Sequence, residues 1–270
     1  MLERERLGLL FPRAPADHLD AIAARWEELL AAHAIAGLRL EHFLAQVGHE
    51  TAGLTVLEEN LSYSAERLCA VWPTRFPTPE AAAPFARNPQ RLADRVYGGR
   101  LGNRGEASGD GWAFRGRGYL QITGRATYRA AGRRAGLDLE AAPELAVSPD
   151  HALAVACAYW SWRGLDAFAD RDDLVALTRR LNGGSHGLSD RRAWLERVRE
   201  ALGRQAPVLP PGAMAALQRA LLEAGYAECG AADGIIGPRT LGAIARLRRE
   251  RGLPGKGVDA VLLETLGLGA

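Results

Sequence analysis

Leu40, Phe43, Leu44 and Val47 recur at the three- and four-residue spacing of an amphipathic helix, which the pattern predicts over residues 38–51. A helix over 15–35 precedes it, with Leu19, Ile22, Trp26, Leu29 and Leu30 on its apolar side. Residues 60–110 are punctuated by Pro73, Pro77, Pro79, Pro84 and Pro89, so only short helices are expected there. Longer helical patterns return at 141–162, 172–181 and 190–202. No stretch sustains period-two alternation, so any sheet should be small and the chain mainly α.

The run Arg-Gln-Ala-Pro-Val-Leu-Pro-Pro-Gly at 204–212 is the clear linker candidate, since proline-rich stretches make semi-rigid spacers. It separates residues 1–203 from 213–270. Beyond it lie the apolar pattern Leu217, Leu221 and Leu222, then Gly225-Tyr226, then Asp233-Gly234-Ile235-Ile236-Gly237-Pro238-Arg239-Thr240, then a helix through Arg251. Glycines make that turn and Pro238 starts the helix after it, so the turn displays backbone groups at one end of a small unit.

Composition narrows the function classes only modestly. At 270 residues, 47% apolar and 24% charged, the chain has the makeup of an ordinary globular protein of one or two domains. A net charge of +2 gives no argument for a nucleic-acid partner. The three cysteines, Cys69, Cys157 and Cys229, are odd in number and far apart, so neither a disulfide framework nor a metal site is expected. Cys157, inside the apolar run 152–160, reads as a small buried hydrophobe. The opening Met1-Leu2-Glu3-Arg4-Glu5-Arg6 is charged and no long apolar stretch follows. No signal peptide and no membrane insertion are therefore expected. A monomer without a cofactor is anticipated.

Candidate chemistry centres on Glu50 and Glu59. They lie in Ala-Gln-Val-Gly-His-Glu-Thr-Ala-Gly (45–53) and Leu57-Glu58-Glu59-Asn60. Glycoside cleavage without a metal needs two carboxyls, one to protonate the leaving oxygen and one to activate water or attack the sugar. Glu50 follows Val47 by three and Phe43 by seven, which puts it on the apolar side of its helix. A carboxyl there is partly desolvated, and desolvation disfavours its charged form, as a general acid requires. Nine residues at about 100° each would carry Glu59 to the opposite face of a continued helix. Gly53 is a helix terminator, so Glu59 is expected to enter the same cleft from the following segment. Spacing alone is weak evidence, because 32 acidic residues make close pairs common; a buried ion-paired glutamate beside a solvated one would look the same.

Two further clusters sharpen the reading. Residues 109–124 read Gly-Asp-Gly-Trp-Ala-Phe-Arg-Gly-Arg-Gly-Tyr-Leu-Gln-Ile-Thr-Gly, a glycine-rich loop carrying Trp112, Tyr119, Gln121 and Thr123. Glycines let backbone approach a ligand, and aromatic faces suit sugar rings. Leu181-Asn182-Gly183-Gly184 precedes Ser189-Asp190-Arg191-Arg192. His49-Glu50 does not extend to a zinc-protease motif, because position 53 is Gly53. Gly116-x-Gly118 lacks the third glycine of a dinucleotide fingerprint. His49 reads as a supporting partner or a core histidine, and His186 as a loop residue.

Together the three blocks resemble family 19 glycoside hydrolases, the lysozyme-like group of plant-type chitinases and phage lysins, over roughly residues 20–200. The likeness is strongest to phage endolysins, in which a His-Glu pair is followed nine residues later by the second acid just before an asparagine. The resemblance implies a lysozyme-like α fold with little β and an inverting mechanism, whose carboxyls stand about 6.5–9.5 Å apart. It implies Glu50 as general acid and Glu59 as general base, with Thr123 helping to hold the attacking water. Gln121 and Asn182 match substrate-contacting amides, and Arg191 matches the arginine that neutralises the acid network. Trp112 and Tyr119 are further candidate substrate contacts. Glu58 is the rival for Glu59. One departure is visible: the plant enzymes carry a glutamate shortly after Asn-Gly-Gly, where this chain has Ser185 and His186. Residues 213–270 resemble a three-helix peptidoglycan-binding module.

The implied organisation is a catalytic domain at 1–203, a linker at 204–212 and a peptidoglycan-binding domain at 213–270. The implied function is an endolysin cleaving β-1,4 bonds of peptidoglycan glycan strands, made in the host cytoplasm without a signal peptide and released through a separate holin pore. The alternatives are a chitinase and a catalytically inactive wall-binding protein.

Overall fold

The computed structural model describes residues 4–203, 212–235, 237–253 and 257–268. Helices form where apolar side chains recur at the helical period. The first, α1 (Arg4–Leu10), buries only Leu7 and Leu10, too few for the sequence pattern to announce it. α2 (Ala16–Ala32) buries Leu19, Ile22, Trp26, Leu29 and Leu30, and α3 (Leu38–Glu50) buries Phe43, Leu44 and Val47, within a few residues of the predicted spans.

The proline-punctuated stretch makes three short helices: α4 (Ala65–Val71), α5 (Pro79–Ala82) and α6 (Pro89–Tyr97). Ser64, Thr78 and Asn88 each cap one by accepting a backbone N–H three residues on, and proline opens α5 and α6. These segments close a hydrophobic cluster of their own around Leu61, Leu68, Phe76, Leu92 and Val96. After the single turn of α7 (Asp110–Ala113) comes α8 (Arg125–Ala135), which the sequence reading did not predict; its four arginines obscure an apolar side of only Tyr128, Ala131 and Gly132.

The predicted helix over 141–162 is broken in two. Pro143–Val147 forms a short 3₁₀ turn, Ser148 is extended, and α9 (Pro149–Arg163) starts afresh. Proline has no N–H to continue a helix and drives the residue before it out of the α region, so Pro149 sets the boundary. Every residue of α9 from Ala152 to Trp160 is buried, as expected of a helix apolar all round at the centre of a core. Cys157 is among them, its thiol pushed up to about 12 by burial. α10 (Asp166–Ala169), α11 (Leu174–Asn182) and α12 (Leu188–Ala201) complete this part. The main core joins residues 7–54 to 114–198, with α3 and α9 meeting edge to face at Phe43 and Trp160.

Among the described residues β structure is limited to two isolated antiparallel bridges, Glu58 to Arg117 and Arg117 to Ile122. The fold is mainly α, with the little β that the sequence pattern allows.

α13 (Ala213–Glu223), α14 (Pro238–Arg251) and α15 (Ala260–Thr265) surround a third cluster that includes Leu217, Leu221, Tyr226, Ile244, Leu247 and Leu262. The buried amide of Gln218 organises the 233–235 turn, donating to Asp233 and to the Ile235 carbonyl while accepting from Gly234 N–H. Residues 204–211 of the predicted linker and Ile236 of the turn lie outside the described residues. No helix among the described residues is long and apolar enough to cross a membrane.

Candidate active site

α3 stops at Glu50 because the backbone after it turns left-handed at three successive residues: Ala52 (φ 48°), Gly53 (φ 74°) and Leu54 (φ 65°). Only Gly53 adopts that conformation freely; Ala52 and Leu54 are strained there and must be held. Thr51, fully buried, does the holding. Its hydroxyl donates to the Val47 carbonyl at 2.6 Å and accepts from Leu54 N–H at 2.7 Å, while Gly53 N–H returns to the Gly48 carbonyl at 2.8 Å. The chain leaves this turn extended, so Glu50 and Glu59 belong to different elements, as the break at Gly53 predicted.

The first half of the site is built where α12 lies against α3. Gly48 makes that contact possible: a Cβ there would fall inside the indole of Trp194. With α12 seated, Arg191, 1% exposed, donates to Glu50 Oε1 at 2.6 Å and to the amide oxygen of Gln46. Glu50 does lie on the packed side of its helix, but what meets it there is a guanidinium and not a dry apolar surface. The neighbouring His49 bonds Asp190 at 2.6 Å, and Gly187 lies so near that a Cβ would collide with the imidazole.

The second half separates the two adjacent glutamates. Residues 58 and 59 run extended beside the glycine-rich loop, and successive side chains of an extended segment point to opposite faces. Glu58 turns to Arg115 and Arg117, whose side chains are nearly buried. Arg115 also stacks over the Trp112 ring at 3.7 Å. Glu59 turns the other way and meets no cation in these bonds. The Tyr97 hydroxyl donates to both of its oxygens at 2.7 and 2.8 Å, and Gly116 N–H donates to Oε2 at 3.3 Å. Burial, then the charge of Glu59, hold the Tyr97 proton well above the usual tyrosine range, so this hydroxyl stays a donor. A Cβ on Gly116 would press on Glu59 and on the Gln121 amide oxygen, so both side chains lie close against this glycine.

Gln121, itself left-handed at φ 47°, spends its NH₂ group on the Leu57 and Gly118 carbonyls and so staples the loop to the segment carrying Glu59. The half-buried Thr123 donates to the Gln121 carbonyl at 3.1 Å. Asn182 is exposed at the end of α11, before Gly183, and Trp112 is half-buried against the small cluster around α6.

Tyr119 requires a correction. It is 1% exposed, lies in the main core, and its hydroxyl bonds His18 Nδ1 at 2.8 Å, so it offers no face to a sugar. It sits in the tight turn between the bridged residues Arg117 and Ile122, and its neighbours Gly118 and Leu120 are buried with it. His186 is exposed, as expected of a loop residue.

Tyr97, Gln46, Arg115 and Arg117 were not singled out by sequence. Tyr97 lies 38 positions from Glu59, and no local pattern links them. Gln46 stands one helical turn before Glu50, a spacing that marks a shared face and would have suggested it. Among the described residues no cluster of metal-ligating side chains forms.

Comparison with known proteins bears on what this arrangement does. No protein-family profile matches the chain. A "Glycosyl hydrolase family 19 domain-containing protein" of Haemophilus influenzae is 38% identical over 191 residues, covering 71% of this chain and 92% of that protein. Among solved structures, chitinase C from Streptomyces griseus and a chitinase C mutant each give a TM-score of 0.48 at 21% identity, over 75% of this chain and 92% and 93% of theirs.

Proposed function

The chain belongs to glycosyl hydrolase family 19, and from that premise we propose that it is an endolysin that hydrolyses the β-1,4-glycosidic bonds of bacterial peptidoglycan with inversion. The observation that carries the mechanism is the unequal treatment of three carboxyls. Glu58 is neutralised by two arginines, Glu59 is held by an uncharged hydroxyl and an amide N–H, and Glu50 ends a helix against one buried arginine.

Glu50 donates its proton to the glycosidic oxygen as the C–O bond breaks, and Arg191 compensates the charge left on its carboxylate. Glu59 takes a proton from water, whose oxygen bonds to the anomeric carbon from the face opposite the leaving group. Tyr97 and Gly116 keep the Glu59 carboxylate aimed at that water. Thr123 and Gln121 help to place the water and the sugar from the adjoining loop. Trp112 and Asn182 contribute to the walls of the groove. The peptidoglycan substrate is supported by the motif spacing within 45–60 and by the 233–240 turn of the C-terminal unit, which we assign as a wall-binding module.

The test is product analysis on purified peptidoglycan. The freshly released reducing sugar should be the α anomer by NMR, and mass spectrometry of the new ends identifies the bond that was cut. A β product before mutarotation would remove Glu59 from the base role. Cleavage of N-acetylglucosamine oligomers but not of peptidoglycan would replace the endolysin reading with a chitinase. Glu50→Gln should cut turnover by about 10²–10⁴-fold with folding retained.

A further inference from the structure

Arg163 closes α9 and Arg180 lies in the last turn of α11. The two side chains are crossed: Arg163 donates through Nη2 to the Arg180 carbonyl, and Arg180 Nε donates back to the Arg163 carbonyl at 3.0 Å. Arg163 Nη1 also reaches the Tyr159 hydroxyl at 3.1 Å. All three acceptors are uncharged. Elsewhere Arg39, Arg104, Arg125, Arg129, Arg191 and Arg199 pair with carboxylates. Among the described residues Arg163 and Arg180 do not, and neither do several other arginines; what sets this pair apart is that each bonds the other's carbonyl.

Capping the carbonyls of two helix ends accounts for part of this arrangement. It does not use the full donor set. Each guanidinium carries five N–H groups, and these bonds occupy two on Arg163 and one on Arg180. Two like charges are held side by side, one exposed and one half-buried, with guanidinium N–H groups that these bonds leave unused.

Their position ties them to the Glu50 side of the candidate site. Arg180 stands two residues before Asn182, and the loop after it runs onto His49 at Gly187 before α12 delivers Arg191 to Glu50. From below, Tyr159 is buried beneath Arg163. Its proton is held more tightly than usual, mainly through burial, with Arg163 opposing and the charge of Glu50 adding to the effect. A chain of N-acetylglucosamine has no charge for such a pair to meet. Peptidoglycan has carboxylates on its stem peptides, and on its muramic lactyl ethers wherever no stem is attached, and the planar guanidinium fork fits a carboxylate in two-point contact.

We propose that Arg163 and Arg180 form a carboxylate-binding subsite beside Glu50, which selects glycan strands bearing carboxylates over neutral chitin-type chains. This rests on the peptidoglycan reading above.

The test compares full-length protein with the Arg163→Gln/Arg180→Gln double variant on three soluble substrates: peptide-bearing strands, peptide-free strands with free lactyl carboxylates, and N-acetylglucosamine oligomers. Thermal melts check that the variant is folded. The KM for carboxylate-bearing strands should rise about tenfold with kcat within about twofold. The preference over neutral oligomers should fall by the same factor, and the rise of KM with added salt should flatten. Lysine at both positions keeps charge without the fork and should restore part of the preference. A loss confined to peptide-bearing strands places the carboxylate in the stem; a loss confined to peptide-free strands, where alone the lactyl carboxyl is not amide-linked, places it on the lactyl ether; a loss on both shows that the subsite accepts either carboxylate. Equal KM changes on charged and neutral substrates, or an unchanged salt dependence on the charged strands, would overturn the subsite. If the unaltered protein cleaves only neutral oligomers, the peptidoglycan reading itself fails; if it cleaves charged strands and the substitutions change nothing, only the subsite does.

Discussion

Glu58 and Glu59 are chemically identical neighbours with opposite surroundings, and the difference comes from one step along an extended backbone. Glu58 supplies the countercharge of Arg115 and Arg117, two arginines whose side chains are 10% and 7% exposed. Replacing it with glutamine should cost about 1–2 kcal/mol of stability, less than a fully buried pair because Glu58 itself is 39% exposed. Most turnover should survive. Glu59→Gln should do the reverse, lowering kcat by about 10²–10⁴-fold with little change in melting temperature. Kinetics and thermal melts on the two variants decide it, and a reversed order moves the base to Glu58. Tyr97→Phe keeps the ring in its cluster but removes a charge-assisted hydrogen bond from Glu59. Such bonds contribute about 1.5–3 kcal/mol. With Gly116 N–H still in place, kcat should fall about tenfold and KM stay within about twofold. Equal damage to both constants would make Tyr97 a packing residue only.

The elements that carry the site are held by pairs of charges as much as by apolar faces. α7 is tied to α8 through Asp110, which bonds Arg104 and Arg125, and Arg125 continues to Glu140, which also takes Arg129. The hydrogen bond from Arg104 is the largest influence holding Asp110 well below the usual carboxylate range, and Arg129, then Arg125, lower Glu140 to about 2. Both groups therefore bind protons less readily in the folded protein than in the unfolded chain. Between the two sets of values the unfolded chain holds more protons, so stability rises with pH there. This contribution is complete above roughly pH 5 and is lost as the pH falls towards 2. Melting temperature should drop over that window, and the Asp110→Asn/Glu140→Gln variant should be less stable at pH 7 with a flatter profile. Parallel curves for parent and variant would show that the α7–α8 latch has no part in acid unfolding.

At the scale of the whole molecule, the core of α2, α3, α9 and α12, the cluster around α6, and the three helices of residues 212–268 each bury their own apolar side chains. Glu50 rides on the first, Glu59 is aimed by Tyr97 from the second, and the 233–240 turn belongs to the third. Cutting the chain near Pro207 should leave an N-terminal piece that still hydrolyses soluble glycan fragments. It should bind intact walls more weakly, since a tethered module raises the local concentration of substrate. The C-terminal piece should sediment with insoluble peptidoglycan and cleave nothing. Unchanged wall affinity after its removal would deny the module a binding role.

The chain order by itself determined what depends on neighbours in sequence. The period of Phe43, Leu44 and Val47 set α3, Gly53 marked its end, and the proline-rich stretch announced short helices, because these signals act through local backbone preference and one-sided burial. Motif spacing likewise singled out Glu50 and Glu59 as the candidate acids. The split at Pro149 was also present in the sequence, although the apolar run from Ala152 to Trp160 concealed it. Tertiary structure alone decided what depends on distant partners. It turned Tyr119 inward to His18, 101 positions away, and brought Tyr97 across 38 positions to Glu59 and Arg191 across 141 to Glu50. Such contacts follow from how helices pack, and packing is set by residues such as Gly48 and Trp194 that carry no mark of their role until the helices meet.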